Sequence, residues 1–357
     1  MSKSPARPKF AYVGCFTTAK RKAKGKGIAL FRIDQKTGAW SYVEACDVVP
    51  NPSYICLDRT QRYMYSAHGD SDEVCAYARD PKTGKLALLN KQKTEGDNSS
   101  TVEAHSSGRW VLVSTGPGVA LYPVKADGSL GPYSALVVPA GEPGPLRDEQ
   151  EGSHPHQAAF DLTGKFVVVP DKGLDKVLVF RLDAERGRLV PTDTLDARYG
   201  AVPRHVTFHP SRPYAYLVME NDSTVFAYHW DTKKGTLKPF QRVPTLPTDY
   251  VGDNMAAEIA ILPSGKFLYA SNRGHESIAI YAVDSRSGKI ENVGWEPVQG
   301  KKPRFFCLSP DGSHLYAANE NSHTIVEFRI NQKSGKLTST GQVVETGSPT
   351  CIVFAAS

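Results

Sequence analysis

The segment from residue 257 to residue 288 decides the fold; it reads AEIAILPSGKFLYASNRGHESIAIYAVDSRSG. It contains three short apolar runs, at 257–262, 267–271 and 277–283, and polar turn residues separate them. Short alternating apolar runs of this kind are typical of β-strands. The closing turn begins with Asp284 and ends with Gly288, which suits a hairpin because Asp can bond its own backbone and Gly accepts a positive φ. We therefore predict three antiparallel strands here, a to c, and a fourth, strand d, after Gly288.

The same closing turn recurs seven times along the chain, each time after an apolar alternation. The seven copies lie at 34–38, 80–84, 125–128, 183–187, 231–235, 284–288 and 331–335. The predicted a strands begin near Pro52, Thr101, Pro155, Pro203, Ala257, Pro303 and Pro349, which are 46 to 54 residues apart. That spacing is the size of a four-stranded propeller blade.

The two ends of the sequence predict how the ring closes. The run at 10–14 has the pattern of strand b, and the run at 349–354 is a lone strand a. We therefore predict an all-β, seven-bladed β-propeller, closed by a C-terminal strand that completes the first blade, with residues 1–357 as a single domain. Closing the ring removes exposed sheet edges, which otherwise promote aggregation.

Composition narrows the class of protein. The 357 residues are 40% hydrophobic and 22% charged, with a net charge of +6 that includes a basic run at 20–26. We expect this run to be a solvated loop and predict no nucleic-acid partner, because no base-stacking motif accompanies it. No stretch approaches the roughly 18 apolar residues of a membrane span, and the six cysteines form no CxxC pair. These features predict a cytoplasmic protein without membrane contact, a monomer or a weak oligomer.

Ionisable residues collect at one predicted end of the channel. Strand a is innermost in a propeller blade, and the start of strand a and the end of the antiparallel strand b lie on the same face. The residues at those positions include Asp70, Asp171, Lys172 and Glu320, and the nine that we take as candidate site residues are His154, His156, Arg204, His205, Glu220, Glu258, Arg273, His275 and Arg304. Any one of them could be a structural hydrogen-bonder or a salt-bridge partner. Their convergence favours a pocket for a small charged ligand, because such a cluster is costly unless it is paired or used.

Several segments resemble the seven-bladed propeller lactonase family, which includes propeller-type 6-phosphogluconolactonases and the fungal 3-carboxy-cis,cis-muconate lactonizing enzyme. They are PRHVTFHP at 203–210, AEI at 257–259, NRGHESI at 272–278 and PR at 303–304. The resemblance covers essentially the whole chain. It implies catalytic roles for His156, Arg204, Glu220 and Arg273, and it implies no metal or other cofactor. The sequence departs from the family at 221–222, at Glu320 and in the loop 141–152, and these departures leave the substrate open.

The resulting hypothesis is a metal-independent lactonase that hydrolyses a small anionic sugar lactone, in the manner of a 6-phosphogluconolactonase. Glu220 or His156 would be the base, and Arg204 would hold the oxyanion or an anionic group of the substrate. The predicted substrate-binding residues are His154, His205, Glu258, His275 and Arg304.

Other functions stay open at this point. A cycloisomerase of the carboxymuconate type could use the same pocket on a carboxylate substrate. A metal site from His154, His156 and Glu151, and a non-catalytic scaffold for protein partners, are weaker alternatives. The absence of a G-x-S-x-G motif argues against a serine esterase.

Overall fold

Twenty-eight strands form seven antiparallel four-stranded sheets in the computed structural model, which describes residues 8–146 and 148–356. The strands are β1 (Phe10–Cys15), β2 (Ile28–Ile33), β3 (Trp40–Cys46), β4 (Pro52–Leu57), β5 (Tyr63–His68), β6 (Glu73–Arg79), β7 (Leu86–Lys93), β8 (Thr101–Ala104), β9 (Trp110–Ser114), β10 (Val119–Pro123), β11 (Ala135–Val137), β12 (Ala159–Phe160), β13 (Phe166–Asp171), β14 (Lys176–Asp183), β15 (Arg188–Asp196), β16 (Pro203–Phe208), β17 (Tyr214–Met219), β18 (Thr224–Asp231), β19 (Thr236–Pro244), β20 (Met255–Ile261), β21 (Phe267–Arg273), β22 (Ser277–Val283), β23 (Ile290–Pro297), β24 (Pro303–Leu308), β25 (His314–Asn319), β26 (Thr324–Ile330), β27 (Leu337–Glu345) and β28 (Pro349–Ala355). A single 3-10 turn spans Ala19–Arg21. Residues 1–7, Arg147 and Ser357 of the predicted 1–357 domain lie outside the described residues.

The C-terminal strand closes the ring, as the sequence predicts. The first sheet has the order β28-β1-β2-β3, so the last strand of the chain is the innermost strand of blade one. It pairs antiparallel with β1 from Phe10, opposite Ala355, to Gly14, opposite Cys351. Arg79 of blade two fastens this junction, since its guanidinium donates to the Tyr12 hydroxyl and to the Ala356 carbonyl. The seven-bladed, all-β prediction is confirmed.

A β-bulge near the start of strand a recurs around the ring. The pairing register shifts just after Pro52, Pro203 and Pro303, and in blade one it shifts opposite Pro349. The residue that follows each of these prolines is left outside the ladder, and a bulge re-aims such a side chain. These four residues, Ser53, Arg204, Arg304 and Thr350, all line the same cavity. The bulges therefore turn these side chains into the channel.

The residue before each of these four prolines has a left-handed backbone, with φ of 47° at Asn51, 61° at Val202, 62° at Lys302 and 42° at Ser348. This conformation is unfavourable for a β-branched residue such as Val202 and needs support from its surroundings. The carboxylate of Asp175 provides it in blade five, where it accepts the N–H of Gly200 at 2.7 Å and that of Val202 at 2.8 Å.

Strand a of blade four differs from the prediction. Pro155 forms only an isolated bridge with Asp171, and regular pairing is confined to Ala159–Phe160. The five residues from Pro155 to Ala159 face the four from Asp171 to Val168, so one extra residue interrupts the ladder here. Strand a of blade four therefore begins with a bridge at the predicted Pro155 but pairs regularly only from Ala159, and His156 lies in the interrupted segment.

A second cavity, of about 420 Å³, opens at the other end of the channel. Its walls are mostly apolar, and Tyr54 and Phe305 line both this cavity and the ionisable pocket. The Glu103 carboxylate also lines it and accepts the Phe160 N–H at 3.1 Å. Burial raises the pKa of Glu103 to about 7.

Because the pKa of Glu103 is higher in the folded protein than in the unfolded chain, its ionisation opposes folding as pH rises from about 4.5 to 7. Glu103→Gln keeps an oxygen that can accept the Phe160 N–H but cannot ionise. We therefore expect this variant to avoid the loss of folding stability that ionisation of Glu103 causes in the wild type. The difference in Tm between the variant and the wild type should be larger at pH 8 than at pH 5, as measured by thermal unfolding across pH. A difference that does not change with pH would contradict the raised pKa.

Candidate active site

The ionisable pocket is a cavity of about 170 Å³ at one mouth of the channel. Seven of the nine residues predicted from the sequence line it: His154, His156, Arg204, His205, Glu220, Glu258 and Arg304. The other residues of its wall are Phe16, Arg21, Ser53, Tyr54, Asn98, Ser99, Ser100, Lys172, Phe305 and Thr350. The structure thus brings together groups from several blades, as the strand geometry predicts.

Glu258, His205 and His156 form a hydrogen-bonded chain across three blades. Glu258 Oε1 lies 2.9 Å from His205 Nδ1, and His205 Nε2 lies 3.1 Å from His156 Nδ1. Glu258 Oε1 also accepts the Ile259 N–H. Burial lowers the pKa of both imidazoles; Glu258 partly opposes this at His205, while the charge of Arg204 adds to it at His156.

The ends of this chain determine the protonation of both imidazoles. Arginine can only donate, and Arg204 Nη1 lies 2.6 Å from His156 Nε2, so this nitrogen must carry a lone pair. The proton of neutral His156 is then on Nδ1, from which it is donated to His205 Nε2. His205 in turn carries its proton on Nδ1 and donates it to Glu258. The network therefore holds both histidines as Nδ1–H tautomers, with the lone pair of His156 Nε2 directed toward Arg204 at the pocket.

A second network centres on Glu220. Its two carboxylate oxygens bind different arginines, with Oε2 2.5 Å from Arg204 Nη1 and Oε1 2.9 Å from Arg273 Nη2. Burial by itself raises the pKa of Glu220, but the charges of Arg273 and Arg204 outweigh burial and bring this pKa far below its usual range. Glu220 is therefore a firmly ionised carboxylate and a weak base.

Arg273 lies behind Glu220 and is not part of the pocket wall. Besides Glu220, its guanidinium donates to the carbonyl oxygens of Met255 and Ala256 on β20, at 3.2 and 3.0 Å. These contacts engage Nε and Nη2 in the protein interior. The structure therefore connects Arg273 to the pocket through Glu220, and the catalytic role that the resemblance implies for Arg273 stays a prediction.

His275 is the other predicted residue that the structure places away from the pocket. It follows Gly274, whose φ of 136° turns the chain outside β21. The His275 Nδ1 bonds to Ser277 Oγ at 2.6 Å, and its ring packs edge-on against Tyr250. The assignment of His275 to substrate binding is corrected, because these contacts engage the side chain within its own turn region.

Two cationic residues of the pocket wall, Lys172 and Arg21, are not among the nine predicted site residues, although the strand pattern places Lys172 on the predicted face. Lys172 follows the end of β13 as Glu220 follows the end of β17, so the blade repeat carries the signal that identifies it. Arg21 belongs to the basic run that was expected to be solvated. Its guanidinium instead pairs with both oxygens of Asp70, at 2.6 and 2.9 Å, and lies 4.2 Å from the centre of the Phe16 ring.

Two further observations concern metals and membranes. Within residues 8–146 and 148–356, no three or more His, Cys, Asp or Glu side chains are grouped closely enough to hold a metal ion. In the same part of the chain, no helix has the length and apolar character needed to cross a bilayer.

This fold and pocket define a class: a seven-bladed propeller whose channel mouth carries arginine, histidine and carboxylate side chains. The family model described as "Lactonase, 7-bladed beta-propeller" matches residues 10–354. The chain belongs to this lactonase family, and the resemblance seen in the sequence is confirmed.

Similarities to individual proteins support the same family membership. The chain is 31% identical over 299 residues to a 6-phosphogluconolactonase of Bacillus subtilis, covering 83% of each chain. It is 32% identical over 312 residues to a 6-phosphogluconolactonase of Formosa agariphila, covering 84% of this chain and 86% of that protein. The solved structure of a periplasmic gluconolactonase from Pseudomonas aeruginosa superposes with a TM-score of 0.88 at 28% identity, covering 97% of this chain and 99% of that one.

Glu220→Gln should destabilise the protein strongly, because it leaves Arg204 and Arg273 buried without a counter-charge. Removing one partner of a buried ion pair costs about 3–5 kcal/mol. The matched control is Asp196→Asn, which breaks the exposed pair with Lys176 and should cost less than about 1 kcal/mol. Urea unfolding of the two variants measures the difference, and equal losses would contradict the buried network.

Proposed function

We propose that the protein hydrolyses a small anionic sugar lactone of the 6-phosphogluconolactone type, with His156 as the general base. The observation that carries this proposal is the Glu258–His205–His156 chain, which places the unprotonated Nε2 of His156 at the pocket. A base held in one tautomer by a buried carboxylate follows the logic of hydrolytic triads, with a second imidazole inserted between carboxylate and base.

In the proposed reaction, the oxygen of a water molecule bonds to the lactone carbonyl carbon while His156 Nε2 takes its proton. Arg204, with several donors in a fixed plane, stabilises the negative charge that develops on the carbonyl oxygen. The bond between the carbonyl carbon and the ring oxygen then breaks, and the protonated His156 returns its proton to the leaving ring oxygen. The product is the open-chain hydroxy acid.

The choice between His156 and Glu220 as the base rests on their surroundings. Each carboxylate oxygen of Glu220 is bound by an arginine, whereas His156 Nε2 has one arginine contact. We assign to Glu220 the role of positioning Arg204. His156 Nε2 has Arg204 Nη1 as its donor, and a bound substrate would draw that donor toward its carbonyl oxygen and leave the lone pair to water.

Hydrolysis is favoured over cycloisomerisation because the relatives quoted above are named as lactonases. Membership of an enzyme family also disfavours the scaffold hypothesis. We retain a single domain, the absence of nucleic-acid and membrane partners, and a monomer or weak oligomer as predictions. A cytoplasmic location is likewise a prediction. It agrees with the six free cysteines, because disulfides are rare in the cytosol. The similar Pseudomonas aeruginosa structure, however, is described as periplasmic.

His156→Ala should lower kcat/KM for lactone hydrolysis by about 10²- to 10⁴-fold, the usual contribution of a general base. The test is a hydrolysis assay on 6-phosphogluconolactone, gluconolactone and a muconolactone. The matched control is His275→Ala, a histidine on the same face of the propeller that does not line the pocket, and it should retain turnover. Equal activity of His156→Ala and the wild type on every lactone would overturn the assignment.

A further inference from the structure

The cations around the pocket fall into two groups that differ in their partners. Arg204, Arg273 and Arg21 each contact a carboxylate oxygen within 3 Å. Lys172 and Arg304 do not. The Lys172 ammonium has no hydrogen bond or ion pair to any described residue, and Arg304 Nε lies 3.9 Å from Glu320 Oε2.

Each of the three arginines already faces a carboxylate, which is Glu220 for Arg204 and Arg273 and Asp70 for Arg21. Lys172 and Arg304 differ because no hydrogen bond within the described residues engages their side-chain donors, which remain available to a bound molecule. His154 belongs with them, since its imidazole also has no hydrogen bond within the described part of the chain, and it lines the same cavity as Lys172 and Arg304. The pocket thus combines arginines that face carboxylates with side chains whose donors are open.

The open cations are partly removed from water and repel each other. Burial lowers the pKa of Lys172, and the charges of Arg204 and Arg304 act in the same direction against the pull of Glu220. Burial, followed by the charge of Arg204, lowers the pKa of Arg304 to about 9. Holding two such charges together is unfavourable unless an anion joins them.

We propose that Lys172, Arg304 and His154 form a subsite for a phosphomonoester dianion carried by the substrate, with Lys172 as the specificity-determining residue. This rests on the proposed lactonase function and adds to it the residues that would recognise the phosphate of the substrate and the residue that would discriminate against unphosphorylated lactones. A phosphomonoester carries about −1.5 to −2 charges at pH 7 and three acceptor oxygens. It can therefore neutralise both cations, whereas a carboxylate supplies only one charge.

The adjoining cavity supports placing the dianion in the inner pocket. This vestibule, of about 540 Å³, shares His154 and Lys172 with the pocket, and its wall carries Asp97, Asp148, Glu149 and Glu151. Four acidic side chains make the vestibule unfavourable for a second anion but suitable for accepting hydrogen bonds from sugar hydroxyls. Lys172 lies at the boundary, where the sign of the lining charge changes.

Ligand binding tests the subsite independently of turnover. Calorimetry on the full chain compares glucose 6-phosphate, a phosphomonoester without a lactone, with glucuronate, which carries one carboxylate. We expect the wild type to bind glucose 6-phosphate at least about tenfold more tightly, and Lys172→Met to remove most of that preference, in line with the loss of a charge-assisted contact. The matched control is Lys176→Met, which removes a lysine paired with Asp196 in the same blade and should keep the preference.

Equal affinity of the wild type for both ligands would overturn the proposal, and so would a preference that survives Lys172→Met. Assays on the two lactones separate this result from the proposed function. Lys172→Met should reduce kcat/KM about tenfold more for 6-phosphogluconolactone than for gluconolactone, mainly through KM. The same loss on both lactones would contradict a phosphate subsite, while a wild type that hydrolyses neither lactone but keeps the binding preference would overturn only the lactonase function.

Discussion

The contacts of Arg204 hold the pocket together. This arginine is 2% exposed, and its guanidinium joins three blades: Nη1 contacts Glu220 of blade five and His156 of blade four, and Nε donates to the Ala257 carbonyl of blade six. A buried guanidinium is stable only when its donors are satisfied. The positions of Glu220 and His156 therefore depend on Arg204, and Arg273 is placed in turn by Glu220.

One chemical consequence is that the protonation of His156 and His205 is determined by the groups at the two ends of their hydrogen-bonded chain. Arg204 can only donate, and Glu258 Oε1 already accepts a backbone N–H, so the two intervening imidazoles have one consistent arrangement of protons. This arrangement keeps a neutral lone pair in a strongly cationic pocket. Burial, together with the positive charge of the neighbouring Arg204, keeps the pKa of His156 low.

Much of this architecture can be predicted from the sequence because it is encoded locally. The Asp-to-Gly turns mark the blades, and the prolines at 52, 203, 303 and 349 mark strand starts, since turn chemistry acts over a few residues. Antiparallel pairing then places Arg204, Glu220 and Glu258 on one face. Their exact partners depend on contacts between blades, which no local pattern specifies.

The sequence-based predictions that differ from the structure also depend on contacts or turns that no local pattern specifies. Arg21 looked like part of a solvated run, and only the folded chain brings it to Asp70 and Phe16. His275 shares the expected face but turns away after Gly274, and strand a of blade four is interrupted beside His156. Lys172 lies on the face that the sequence predicts, at the blade position that Glu220 occupies one blade later, but it is not among the nine predicted site residues.

The most direct test of this account is nitrogen NMR of the imidazole rings in the resting protein, with His156 and His205 assigned through His156→Ala and His205→Ala spectra. Both rings should be neutral at pH 7, each with its proton on Nδ1 and an unprotonated Nε2. An imidazolium at either position, or a proton on Nε2 of His156, would contradict the network that makes this residue the base.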